Sequence, residues 1–265
     1  MYALAACAAL PAVAQPTPAA QEYDCLIEAR QRLEIRSQVE GVIESVFVQR
    51  GDAVKKGQLI ALLASGPERA ALDLARSRAT MEGELKSAEA KLDLSKKKWE
   101  RADELHRKNF VSSNARDEAE AEFRLASEQL RAAQENRRLA ELEVKRAEEV
   151  LAQRGIRSPV TGLVVDVVLR PGELTSSNQK DPIARLMEVD PLSVELILPV
   201  REHGKIKLGQ VGQVMPEVPV GGAYAAKVEV VDRMLDAASG TFGVRLRLPN
   251  PGNKIPAGVK CRVKF

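Results

Sequence analysis

Two stretches of this chain repeat each other and limit what it can fold into. Ser37 to Asp52 reads "SQVEGVIESVFVQRGD", and Ser158 to Glu173 reads "SPVTGLVVDVVLRPGE". They align without a gap, so Ser37 matches Ser158, Val39 matches Val160, Gly41 matches Gly162, Val46 matches Val167 and Gly51 matches Gly172. Two extra residues later, Ile60-Ala61-x-Leu63 matches Ile183-Ala184-x-Leu186. Alternating Val and Ile give strands with one buried face. Matching glycines give matching tight turns. Neither half has enough strands to bury its face alone. The repeat therefore predicts one small β-sandwich built from both halves, 37–65 and 155–189.

What separates the halves is helical. From Pro67 to about His106, and from about Asn114 to Gln153, Gly and Pro are nearly absent, with Gly83 the exception. Apolar or small residues recur at alternating steps of four and three, the rhythm of a coiled coil. The first seam reads Leu74, Arg78, Met81, Leu85, Ala88, Leu92, Ser95, Trp99, Ala102. The second reads Ala119, Phe123, Ala126, Leu130, Ala133, Arg137, Ala140, Val144, Ala147, Leu151. Arg78 and Arg137 break the pattern, so part of the seam is expected to meet water or a neighbouring subunit. Pro67-Glu68 suits a first helical turn and Gly155 a helix end. The reversal "HRKNFVSSNARDE" is short, with Ser112, Ser113 or Asn114 available as a cap and Asp117 and Glu118 favouring the next helix start. The region 66–154 is thus expected to be an antiparallel hairpin with arms about 60 Å long at 1.5 Å per residue.

From Asp190 to Phe265 short strand-like runs alternate with Gly, Pro, Asn and Asp, as in a small antiparallel β-barrel. The early run "EYDCLIEA", within 23–36, needs a partner, and this barrel region is the nearest candidate. The segment 1–22 combines an apolar run, an Ala12-Val13-Ala14 cleavage pattern and a Pro/Ala/Gln spacer, resembling a secretory signal without its basic start. The alternative is an Ala/Pro-rich tail. Leu4-Ala5-Ala6-Cys7 also resembles a lipoprotein cleavage box, with few residues before it. In an exported chain Cys25 and Cys261 remain, either joined in one disulfide that pins the first strand to the barrel or as two separate buried thiols. Aromatics are 3% of the 265 residues, which favours an elongated, helix-rich molecule over one large core. A formal net charge of +3 is too weak and too mixed to argue for nucleic acid. The whole is expected to be an α+β, elongated chain: a hairpin inserted in a sandwich, then a barrel.

Half-sandwiches like "VEGVIESVFVQRGDAVKKGQLIALL" occur in swinging-arm domains that carry biotin or lipoate on a lysine. That lysine would stand at the exposed turn, here "LLASGPERAAL", which has none. Lys55 and Lys56 lie in the earlier glycine turn. No cofactor is therefore expected. A lipoyl-like sandwich split by a helical hairpin and followed by a barrel resembles the periplasmic adaptors, or membrane fusion proteins, of tripartite efflux pumps. The resemblance covers about 23–265 and rests most on the two repeats and on "GTFGVRLRLPNP" with "IPAGVKCRV". It implies a ring of six copies bridging an inner-membrane transporter of the resistance-nodulation-division (RND) type to a trimeric outer-membrane channel. It implies export to the periplasm by a signal peptide, with attachment to the inner-membrane periphery left open. Many members carry at the tip an Arg, a Leu four residues on and a Ser seven beyond, which meet the channel. Arg101, Leu105 and Ser112 hold that spacing. Each also has a structural reading: solvated charge, closure of the hairpin's own core, and N-cap. The family's usual fourth, membrane-proximal domain is expected to be missing or much reduced.

Chemistry finds no foothold in the sequence. His106 and His203 have no Cys, Asp or Glu at ligand spacing and read as surface histidines. No Ser/His/Asp arrangement or phosphate loop is present, and the methionines do not cluster. The expectation is a non-catalytic protein. Its rivals are an adaptor for an ABC-type exporter or type I secretion system, a biotin or lipoate carrier, and a plain coiled-coil scaffold.

Overall fold

The structure is a computed structural model and describes residues 22–175 and 181–265. The signal-like segment, with Cys7 and Ala12-Val13-Ala14, lies outside the described residues. In chain order the elements are β1 (Glu22–Ile35), β2 (Gly41–Val46), β3 (Ala53–Val54), β4 (Leu59–Leu63), α1 (Gly66–Ala79), α2 (Gly83–Arg107) and α3 (Ser113–Ala152). Then come β5 (Gly155–Arg157), β6 (Gly162–Val167), β7 (Leu174–Thr175), β8 (Ala184–Pro199), β9 (Val211–Pro216), β10 (Tyr224–Val231), β11 (Thr241–Leu248) and β12 (Val259–Lys264). The chain divides into two compact units, one of residues up to Leu33 with Thr161–Leu163 and Leu186–Phe265, the other of Glu34–Val160 with Val164–Arg185.

In the second unit the repeat becomes a two-fold. Ile43 donates its N–H to Glu173 O and accepts from Gly172 N–H, at 2.9 and 2.8 Å. Its counterpart Val164 donates to Asp52 O and accepts from Gly51 N–H, at 2.9 and 2.8 Å. The turns match too. Gly51 and Gly172 have φ of 94° and 92°, and each turn is closed by a side chain, Asp52 accepting from Gln49 N–H at 2.7 Å and Glu173 from Arg170 N–H at 2.8 Å. Ser37 and Ser158 donate to Val39 O and Val160 O, at 2.5 and 2.6 Å. The cross-pairing β2–β7 and β4–β5 weaves the halves together. The buried residues come in matched pairs: Ile43 with Val164, Val48 with Leu169, Ile60 with Ile183. Neither half could bury these side chains alone, which is why the repeat folds as one sandwich.

The other unit holds a ring of strands in the order β1-β12-β9-β10-β11-β8, closed by a β1–β8 pairing. Inward-pointing Ile27, Val194, Leu196, Leu198, Val214, Val228, Val244, Leu246 and Val263 alternate along the strands with exposed or polar residues. β1 runs antiparallel to β12, with Cys25 facing Cys261. The two sulfurs are joined, and their Cα atoms stand 4.8 Å apart. Strand β8 is continuous past position 190, where the sequence reading placed the start of the barrel.

The helical insertion is an antiparallel hairpin with one leg in two pieces. The chain leaves the α-helix over Thr80-Met81-Glu82. Ser77 Oγ bonds back to Asp73 O at 2.9 Å and Thr80 Oγ1 to Ser77 O at 3.0 Å, a local alternative that competes with the helix ladder. The break changes the register. In α2 the predicted seam holds, with Ala88 and Ser95 buried and Trp99 stacked on Phe123 at 5.4 Å. In α1 the buried residues are Leu72 and Ala75, while Leu74 and Arg78 of the predicted seam, and Met81 in the break, are exposed. In α3, Ala126 and Ala133 are buried as expected, and Arg137 turns outward to Glu141 at 3.4 Å.

Candidate functional site

The hairpin has two ends, and each is held by a defined set of bonds. At the tip α2 ends in a Schellman motif. Asn109, at φ 60°, takes the left-handed position. Its N–H bonds His106 O at 2.9 Å, and Phe110 N–H reaches back to Leu105 O at 2.9 Å. Asparagine tolerates this conformation because its short polar side chain costs little there. His106 Nδ1 lies 3.1 Å from Val111 O. Ser112 is the N-cap of α3, its Oγ accepting from Ala115 N–H at 3.3 Å. Asp117 and Glu118 lie one turn further in than a first-turn acid would.

Charge ties the two helices just below the reversal. Asp103 of α2 accepts from Arg107 Nε at 3.0 Å and from Arg116 Nε of α3 at 3.3 Å. The Arg107 guanidinium first, then Arg116, hold the Asp103 carboxyl below its ordinary pKa. Lys108, bonded at 2.6 Å, does the same to Glu104. The reversal is therefore held by its own bonds between the two helices.

On this frame the three candidate residues take different places. Arg101 is exposed on α2, Leu105 is half-buried one turn on, and Ser112 is exposed at the start of α3. Ser112 thus has a structural duty whatever else it does. Beside them stands Phe110, 75% exposed, a residue the sequence reading did not single out. Its signal was present: the one phenylalanine of a turn that is otherwise polar except for Val111. His106 lies at the tip of the hairpin, and in the other unit His203 stands edge-on to Phe242 at 5.1 Å. Among the described residues no group of three or more His, Cys, Asp or Glu is placed to hold a metal ion. Nor, among them, is any helix long and apolar enough to cross a membrane.

The base was also missed by the sequence reading. Arg154, just past α3, donates to Glu40 O at 2.7 Å and to Glu68 Oε1 at 2.5 Å. Its own carbonyl accepts from Leu63 N–H at 2.9 Å. One side chain thus ties the end of α3 to the start of α1 and to the approach of β2. Gly41 makes room for it, since a Cβ there would lie 2.8 Å from the guanidinium. The pair is mostly buried, Arg154 being 20% and Glu68 14% exposed at their side chains. Where a carrier domain would present a lysine, Leu63 is followed by Ala64-Ser65 and then α1.

Comparison with known proteins places this geometry. A family model described as a CzcB-like, barrel-sandwich hybrid domain matches residues 31–181 of the 265. Multidrug resistance protein MdtE of Escherichia coli strain K12 is 27% identical over 238 residues, covering 85% of this chain and 58% of MdtE. Efflux pump periplasmic linker BepD of Brucella suis is 24% identical over 262 residues, covering 94% of this chain and 63% of BepD. The chain therefore spans about three-fifths of the length of these curated relatives. The crystal structure of MacA from Actinobacillus actinomycetemcomitans shares the fold, with a TM-score of 0.73 at 23% identity, over 92% of this chain and 78% of that one. The family match takes in the first repeat half, the whole hairpin and most of the second half, 151 of the 265 residues, and on that ground the chain belongs to the CzcB-like barrel-sandwich hybrid family.

Proposed function

We propose that the chain is a non-catalytic periplasmic adaptor of an efflux system, joining an inner-membrane transporter of the RND type to a trimeric outer-membrane channel as a ring of six copies. The observation that carries this reading is the rod itself: a two-helix hairpin clamped at its base by Arg154 and ordered at its tip by Asn109, Asp103 and Ser112. Such an object suits setting a distance and presenting a rigid end. The exposed turn of the sandwich leads into that rod and carries no lysine for a swinging cofactor. The names of the relatives, a multidrug resistance protein and an efflux pump periplasmic linker, support the efflux setting. In this reading Arg101, Leu105 and Ser112 meet the channel, and the Cys25–Cys261 bridge forms on export and fixes the barrel.

A photo-crosslinker placed at Ser113, beside the cap rather than on it, tests the reading in the native envelope. The expected product is a trimeric outer-membrane channel protein, and Arg101→Asp should abolish its capture while leaving helix content unchanged. Capture surviving Arg101→Asp would remove that residue from the interface. Co-isolation of an ABC transporter in place of an RND transporter would overturn the choice of pump.

A further inference from the structure

The outer side of the β8–β11 strand pair is hollow, and two irregularities of the sheet make it so. In register, Ile197 stands opposite Gly243 and Glu195 opposite Arg245. Glycine inside a strand weakens it and leaves bare backbone where a side chain would stand. A Cβ at Gly243 would run into the carboxylate of Asp232, whose own N–H bonds Gly243 O at 2.9 Å. The second irregularity is a bulge in β10 between Val228 and Val230. Val228 is buried in the barrel, and in a regular strand Val230 would point inward with it. The bulge turns Val230 out, 38% exposed and opposite Arg245. In β1, Cys25, Ile27 and Ala29 face the core, so Leu26 and Glu28 face outward. An ion pair of Arg30 with Glu229, at 3.7 Å, ties β1 to β10, the strands that carry the two walls. The result is a groove of about 450 Å³, floored by the backbone of β8 and β11 and walled by Leu26, Ile197 and Val230. Small-molecule sites span about 300–1,000 Å³.

Charge selects the occupant. Glu195 is neutralised by Arg245, whose Nε and Nη2 lie 2.9 and 2.8 Å from Glu195 Oε1. Glu28 and Asp232 also line the groove. Among the described residues neither of these two carboxylates takes part in an ion pair or a side-chain hydrogen bond. Apolar walls beside two uncompensated carboxylates suit a molecule with an apolar body and a positive charge. An anion would be repelled, and a neutral chain would press on both carboxylates without replacing the water they lose. We infer that this groove binds a cationic amphiphile, an organic ammonium whose apolar body lies among Leu26, Ile197 and Val230 and whose charge faces Asp232 and Glu28. All of these residues belong to the barrel unit, so the site stands whether or not the chain is an adaptor. It would give the chain a ligand of its own, beyond any part in joining two membrane proteins.

The test titrates the full exported chain with decyltrimethylammonium, kept below its micelle concentration, and follows the methyl NMR signals of labelled isoleucine. The Ile197 signal, identified by its loss in Ile197→Val, should shift and saturate. Glu28→Gln with Asp232→Asn should weaken binding about tenfold, the size expected of two partly exposed charge pairs. Decanol, a neutral chain of the same length, should bind about tenfold more weakly than the ammonium and be indifferent to the double variant, and decyl sulfate should not shift the signal. Gly243→Val fills the floor and should abolish the shift, with the thermal midpoint as a check on folding. Decyl sulfate binding as well as the ammonium, an affinity unchanged by the double variant, or an Ile197 signal that stays still at about 1 mM ammonium would overturn the site. Burial of Ile197 by a co-purified inner-membrane transporter, with no response to the ammonium, would make this face a protein-docking surface and overturn it as well.

Discussion

Arg154 is where the hairpin's attachment can be tested by one substitution. Arg154→Met keeps the apolar stem and deletes the guanidinium. It loses a charge-assisted bond to Glu40 O, and it leaves the Glu68 carboxylate, 14% exposed, without its cation. Removing one partner of a fully buried pair costs about 3–5 kcal/mol. Here solvent reaches part of both side chains, so the expected loss is about 2–3 kcal/mol. The double variant Glu68→Met with Arg154→Met should recover all but about 1 kcal/mol, because an apolar pair of similar volume replaces the ions. Denaturant unfolding followed by far-UV circular dichroism and by the fluorescence of Trp99, the single tryptophan, measures both. Trp99 sits in the hairpin, so its midpoint also shows whether the rod loosens before the sandwich. An Arg154→Met variant within 1 kcal/mol of the parent, or a double variant no better than the single, would refute the role of this residue as a clamp.

Three further outcomes rest on single positions. A Cβ at Gly162 would lie 2.1 Å from Met187 O, a backbone atom with nowhere to go, so Gly162→Ala should cost more than about 3 kcal/mol in thermal or denaturant unfolding. At Gly83, where nothing lies within 4 Å, alanine should be neutral or stabilising by up to about 1 kcal/mol. At the tip, Asp103 has a lowered pKa, so its contribution is complete above the ordinary carboxylate value of about 3.9 and is lost only as pH falls through the lower folded value. Fluorine NMR of a labelled Phe110 should therefore report one tip conformation from pH 8 to 5 and loosening only below about pH 4. Loosening that begins near pH 6 would mean another group controls the tip.

The β part of this fold was legible because the repeat is a symmetry of interactions as well as of letters. Gly51 and Gly172, Asp52 and Glu173, Ser37 and Ser158 each do the same local job in both halves, so each job leaves the same residue type at the same offset. The α2–α3 seam was legible for a similar reason, since small residues at heptad spacing have one way to pack. The α1 seam was misread because the heptad was carried unbroken through Thr80-Met81-Glu82. No proline or glycine marks that interruption until Gly83, and what sets it is back-bonding by Ser77 and Thr80, which periodicity does not register. Arg154 was illegible for a different reason. Its partners Glu40 and Glu68 are far away in sequence, and only the folded sandwich brings them to one point.

The same symmetry explains why a rod can be inserted here at all. β4 and β5 are antiparallel neighbours, with Leu62 opposite Gly155, so the chain leaves and re-enters the sandwich at adjacent points. Two helices starting there are already side by side, and the insertion need not distort either half. In a domain with a swinging arm, mobility at that turn is the useful property. Here the bonds at Arg154 and the cross-helix pairs of α1 with α3, Arg76–Glu148 at 2.9 Å and Arg78–Glu143 at 3.9 Å, oppose it. The break in one leg does not undo this, because α3 runs unbroken for 40 residues beside it, about 60 Å at 1.5 Å per residue. Bending at Thr80-Met81-Glu82 would require α3 to bend as well, at the cost of its own hydrogen bonds. The sequence thus places the hairpin's interruption where the opposite helix can splint it, and a hairpin that keeps its length is the result.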